Sequence, residues 1–315
     1  MFIGNKKNEI FFEKAVINGC LSHAHCFCGP ENIGKMTLVK KIASRILSVP
    51  ENEVYQNPNF YYFEKSVDEK TGKVKKEITI AQAREIRDKM TKKSWNKNGQ
   101  VLVLNGAQYL NAESGNALLK ALEEPAEKSF LFLLGDHEKN ILPTVLSRCQ
   151  KTFFLPVNKK DIFLGLKEKG YDKESAEIAA TFAGGLPGRA IAIIENKEII
   201  EELKTEARKW LSLLKMNFTQ RLEELENILS EKDGNKVREN LINKFNFWLE
   251  LWRELLIFKI NNKNDNPILK EGELTSLNYN PVQIQTIIEE IINSQNYLKN
   301  NVQTRLVVER LLLKF

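Results

Sequence analysis

The segment Gly29-Pro30-Glu31-Asn32-Ile33-Gly34-Lys35-Met36-Thr37 has the spacing Gly-x4-Gly-Lys, between an apolar run and a helical pattern. Such glycines let backbone N–H groups close on a phosphate, the following helix start favours negative charge, and the lysine reaches the outer phosphates. Gly29, Gly34, Lys35 and Thr37 are therefore the candidate nucleotide-binding residues. The next position breaks the pattern. A hydroxyl directly after the lysine ordinarily ligates Mg²⁺, and Met36 stands there. Thr37 lies a further ~100° around the helix and cannot replace it. Two readings stay open: a loop kept for its shape, and one that still binds ATP–Mg weakly.

A second strand pattern, Val101-Leu102-Val103-Leu104, runs into Asn105-Gly106 at the Walker B position, where NTP hydrolysis needs acids. One carboxylate holds Mg²⁺ and a neighbour orients the attacking water. Asn105 brings no charge to the metal, and Gly106 brings no side chain. With Met36, three positions of one reaction are missing together, which predicts no meaningful hydrolysis by this chain alone. Only an acid from elsewhere, Glu123 or Asp136, would reverse that.

Cys20, His23, His25, Cys26 and Cys28 crowd together, but their spacing suits no zinc knuckle. On a strand Cys26 and Cys28 share one face and His25 takes the other, so small buried thiols are the better reading and no metal is expected. His137 reads as a loop residue. Lys89, Lys92, Lys93 and Lys97 around Trp95, and Lys70, Lys73, Lys75 and Lys76, form two basic stretches. DNA-backbone contact and a solvated face are the competing readings for both.

These residues need a scaffold. Apolar runs at 25–28, 60–63, 101–104, 130–134 and 152–154 alternate with helical stretches and lack polar alternation, which predicts a parallel sheet covered on both faces. A turn signal at 68–72 predicts an inserted hairpin. The expected organisation is an α/β domain over 1–156, a small helical domain over 157–196 and an all-α domain over 197–315. The 315 residues, 42% hydrophobic and 28% charged, fit a folded multidomain chain. Forty-seven Lys+Arg against forty-one Asp+Glu leave a net +6, which permits nucleic-acid contact without requiring it. No run reaches the ~20 apolar residues of a membrane helix, no signal peptide is read, and four unspaced cysteines fit a reducing compartment. The expected location is the cytoplasm.

Leu21-Ser22-His23-Ala24-His25, Gly29 to Lys35, Asn116 through Pro125, and Leu142-Pro143-Thr144-Val145-Leu146-Ser147-Arg148-Cys149-Gln150 together resemble bacterial clamp-loader subunits of the AAA+ class, of the delta-prime kind in DNA polymerase III. The likeness covers the first 195 residues and recurs at Asn301 to Leu306. It implies an AAA+ domain, a helical lid and a collar that assembles into a ring with gamma/tau motor and delta subunits. It also implies that Ser147-Arg148-Cys149 is the family's Ser-Arg-Cys motif, whose arginine enters the ATP site of a neighbouring motor subunit. By its type alone Arg148 would read as a helix cap or the partner of a local acid. Arg189, in Gly185-Leu186-Pro187-Gly188-Arg189, resembles the lid's second sensor. The family's four-cysteine zinc module is missing at 49–54, so no zinc is expected.

The resulting expectation is a non-catalytic subunit that helps load the sliding clamp onto primed DNA and presents Arg148 to a neighbour. An autonomous DNA-stimulated ATPase and a stand-alone DNA-binding protein are the alternatives. The apolar content of 240–260 and 306–315 fits obligate assembly.

Overall fold

The computed structural model describes residues 2–68, 72–92, 99–231, 233–262 and 266–315. Two compact units divide the chain, one of residues 1–165 and 185–189, the other of 166–184 and 190–315.

The first unit is built on five strands, β1 (Ala24–Cys28), β2 (Phe60–Phe63), β3 (Gln100–Asn105), β4 (Ser129–Gly135) and β5 (Gln150–Phe153). All pair in parallel, in the order β2-β3-β4-β1-β5. The central strands are buried along almost their whole length, as continuous apolar runs require when helices cover both faces. Edge strand β5, Gln-Lys-Thr-Phe, is largely exposed instead. Helices α1 (Lys6–Ile17), α2 (Lys35–Leu47), α3 (Ile80–Thr91), α4 (Ala112–Glu123), α5 (Pro143–Leu146) and α6 (Lys159–Glu168) surround the sheet. Leu102, Leu104, Leu131 and Leu133 meet Ile86, Met90, Leu118 and Leu122 in the core between sheet and helices.

Side chains from α1 and its start reach the sheet edge. Asn8 donates to the Phe153 carbonyl at 2.9 Å, while Asn5 donates to the Leu155 carbonyl at 3.0 Å and accepts from its amide at 3.1 Å. The hairpin before β3 closes through an antiparallel bridge between Val67 and Val74; Lys70 lies outside the described residues, as do Lys93, Trp95 and Lys97.

Because β1 lies between β4 and β5 while the chain leaves it for β2, its C-terminal end is a topological switch point, where loops diverge and leave a crevice. The Gly29–Lys35 loop occupies that point.

The second unit is helical. It contains α7 (Lys173–Phe182), most of α8 (Pro187–Glu195), α9 (Lys197–Lys215), α10 (Phe218–Leu229), α11 (Gly234–Asn261), α12 (Glu271–Thr275), α13 (Pro281–Lys299) and α14 (Thr304–Leu312). Trp210 meets Trp252 edge-on at 5.3 Å, and Phe315 packs on both Trp248 and Trp252. The apolar content of 240–260 and 306–315 is thus used largely inside the bundle; Ile257, Ile260, Leu306 and Leu313 remain exposed. Arg221 donates to the carbonyls of Leu213 and Leu214 at the end of α9 and of Leu312 at the end of α14, answering acceptors that helix ends leave over. Among the described residues no helix is long and apolar enough to cross a membrane.

Candidate functional site

The loop after β1 turns through Asn32, at φ 60°, and Gly34, at φ 102°, into α2, whose first turn has no acid and whose N-cap makes no side-chain bond. A Cβ at Gly34 would lie 3.0 Å from the Phe2 ring. The Lys35 side chain is buried, and its ammonium donates to the Gly29 carbonyl and, at 2.9 Å, to that of Pro30. Burial lowers its pKa, opposed by Glu31 and Asp136.

A cleft of about 350 Å³ opens beside the loop, lined by Lys35, Asn105, Gly106 and Asp136 together with Glu31, Glu64 and the hairpin valines Val67 and Val74. Lys35, Asn105 and Gly106 are therefore brought together. Thr37 is exposed on α2 and Arg189 half-buried at the start of α8, and neither lines the cleft. Gly188, beside Arg189, touches the loop through its N–H, which donates to the Asn32 carbonyl at 2.8 Å.

Asn105 lines the cleft with its side chain engaged by a neighbour. Its amide donates to the Tyr62 hydroxyl at 3.0 Å, and that hydroxyl donates to Glu64 at 2.9 Å. Burial, reinforced by Glu64, pushes the Tyr62 phenol up to about 12, so it stays protonated. Gly106 sits at φ 90°, and a Cβ there would lie 2.7 Å from the Tyr109 ring. The backbone at 106 thus has no place for a carboxylate side chain. Asp136 does line the cleft, but its two oxygens accept from the His137 amide at 2.6 Å and the Asn140 amide group at 3.0 Å. Glu123 lies elsewhere, on Arg148. After Lys35 stands Met36, position 105 carries a neutral amide bonded to Tyr62, and position 106 is a glycine pressed by the Tyr109 ring.

Ser147, Arg148 and Cys149 follow α5 and do not line the cleft. Arg148 Nε and Nη2 both approach Glu123 Oε1, at 2.7 and 2.6 Å, while Nη1 donates to the Thr144 carbonyl at 3.1 Å. The arginine is on the surface and at the same time paired with a local acid and a helix end. Ser147 donates to Thr144, and burial pushes the Cys149 thiol up to about 12.

Cys26 and Cys28 do share a face, their sulfurs 3.7 Å apart, and that contact and burial push the Cys26 thiol up. His25 stacks on Phe132 across the other face. Cys20 is exposed rather than buried. His137 is an exposed loop residue whose Nδ1 accepts from the Lys139 amide. Among the described residues no three His, Cys, Asp or Glu converge as metal ligands. Lys89 is occupied by Glu85 and by the Tyr61 ring, 4.0 Å away, which weakens its stretch as a phosphate contact. His23 and Glu123 carry roles that residue spacing does not announce: the His23 ring meets the Leu122 carbonyl at 2.8 Å, at the end of α4.

Residues 4–158 match the family model described as DNA polymerase III, delta subunit. The DNA polymerase III subunit delta' of Haemophilus influenzae is 31% identical over 137 residues, 43% of this chain and 41% of that protein. The subunit tau of Bacillus subtilis is 28% identical over 290 residues, 82% of this chain and 49% of its own length. A gamma subunit-related protein of Thermotoga maritima is a remote structural likeness, with 14% identity, 98% and 97% coverage and a TM-score of 0.45. The matches span less than half the length of these curated relatives. The likeness to the DNA polymerase III delta-subunit model thus falls on residues 4–158, the stretch that carries the parallel sheet in its β2-β3-β4-β1-β5 order and the loop at its switch point.

Proposed function

We propose that this chain is a non-catalytic clamp-loader subunit that works in the cytoplasm with gamma/tau-type motor subunits and a delta subunit to place a sliding clamp on primed DNA. The observation that carries this reading is the end of β3. There Asn105 is hydrogen-bonded to Tyr62, and Gly106 has a backbone and surroundings that admit no acid. A subunit that cannot hydrolyse ATP contributes through what it offers its neighbours. Arg148, on the surface beyond α5, is the group offered: a guanidinium placed against a transferring phosphoryl group in another subunit is worth ~10³ or more in rate. The α/β domain over 1–156 presents it, 157–196 serve as the lid with Arg189 in a structural role, and 197–315 form the collar.

The cleft beside Lys35 binds ATP weakly in this reading. The lysine's ammonium is satisfied by its own loop, and Glu31, Glu64 and Asp136 oppose a polyphosphate. The competing reading, an autonomous DNA-stimulated ATPase, draws on Asp136 alone.

Steady-state ATP turnover by the cognate motor and delta subunits with clamp and primed DNA separates the two. This chain by itself should be silent and should raise turnover when added; Arg148→Ala should remove that stimulation, by about 10³-fold in the step it serves. Turnover by the isolated chain would overturn the non-catalytic reading, and full stimulation by Arg148→Ala would overturn the arginine's role.

A further inference from the structure

Glu123 is the last residue of α4, with Glu124 directly after it. Carboxylates are disfavoured at a helix C-terminus, where the backbone dipole is already negative. Glu123 gains compensation across the surface, where one of its oxygens takes both the Nε and Nη2 edges of Arg148 at 2.7 and 2.6 Å. The Thr144 carbonyl holds Nη1 from the other side. Three nitrogens fixed by two elements leave the guanidinium little rotational freedom.

The two elements are themselves fixed. Gly115 of α4 faces α5 so closely that a Cβ there would lie 2.3 Å from Leu142 Cδ1. His23 meets the carbonyl of Leu122, the residue before Glu123. The α4 end and the α5 end therefore keep a set distance, and the Glu123–Arg148 pair spans it.

A long arginine side chain samples many rotamers, and a flexible finger would lose that freedom on entering a neighbour's site. One held beforehand loses much less, and its donors face a fixed direction. The pair is half-exposed, with Glu123 52% and Arg148 36% accessible, so it orders the side chain without adding much to stability. We infer that Glu123 is the positioning residue for Arg148, setting the plane in which the guanidinium meets a phosphate on the adjacent subunit. This rests on the proposed role of Arg148.

The test uses the assembled motor complex with clamp and primed DNA, measuring ATP turnover against the concentration of this chain. Glu123→Ala should lower the stimulated kcat about tenfold or more while leaving the half-maximal concentration within about twofold, because docking is intact and geometry is lost. Glu123→Gln, which keeps an oxygen at the same reach, should recover part of the rate. In an Arg148→Ala background, Glu123→Ala should cost nothing further. Wild-type or faster turnover with Glu123→Ala overturns the inference if Arg148→Ala is slow, as does a full additional loss in the double variant. Unaltered turnover with Arg148→Ala overturns the role of Arg148 itself, and the inference with it.

Discussion

His25 is a titratable ring fully buried within β1, stacked on Phe132 and met edge-on by Phe12 at 5.0 Å. Burial lowers its pKa to about 4, well below the 6.5 of an unfolded histidine. Between those values the unfolded chain binds a proton that the folded chain refuses. The stability this contributes is present above pH 6.5 and is lost as pH falls toward 4, by about 3 kcal/mol. Urea unfolding at pH 7 and pH 4.5 should show His25→Phe losing less stability than wild type; equal losses would contradict this account. Gly106 poses the complementary case, a backbone that excludes side chains. Gly106→Ala, at φ 90° and against Tyr109, should cost about 1–3 kcal/mol, and an unchanged unfolding midpoint would refute the steric argument. Asn105 and Gly106 were legible in the sequence as a neutral amide and a glycine at the end of a strand. The Tyr62 bond and the reshaped backbone were not, because both depend on strands that only the sheet brings side by side.

Among the elements, Arg221 of α10 does the work of a cap for two helices at once, reaching carbonyls on α9 and α14. Arg221→Met keeps the apolar stem and strands those acceptors, and should lower the stability of the helical unit by about 2 kcal/mol in chemical unfolding. A loss under a few tenths would mean water replaces the guanidinium fully. The five strands were legible as apolar runs within a residue or two of their ends, and the hairpin from its turn residues. Helix α1 was not legible. Only Phe12 and Ala15 of its twelve residues are buried, too few to draw an apolar stripe, while Ile10, Phe11 and Ile17 face outward. The Glu123–Arg148 pair escaped for another reason: residues 25 apart meet only because α4 and α5 pack through Gly115.

At the scale of the whole molecule, the chain divides into a sheet-based unit over 1–165 and 185–189 and a helical unit over 166–184 and 190–315, where the sequence was read as three stretches, 1–156, 157–196 and 197–315. The order of the strands does not follow from hydrophobic period, since crossovers rather than local pattern decide which strand lies beside which. Net charge was similarly uninformative: a surplus of +6 is spread over a surface where cations such as Lys41, Lys89 and Lys204 already have acidic neighbours. One feature of the sheet acts beyond the single molecule. A bare outer strand is a template on which another chain can lay its own backbone, the first step toward ordered aggregates. Along β5 and just past it, Asn5 and Asn8 answer the carbonyls of Phe153 and Leu155 and the Leu155 amide, so an arriving chain finds those positions taken. Asn5 and Asn8 thereby cover part of that edge. Asn5→Ala combined with Asn8→Ala should scatter more light than wild type on concentration at equal folded fraction, and indistinguishable scattering would show that this side of the sheet needs no such guard.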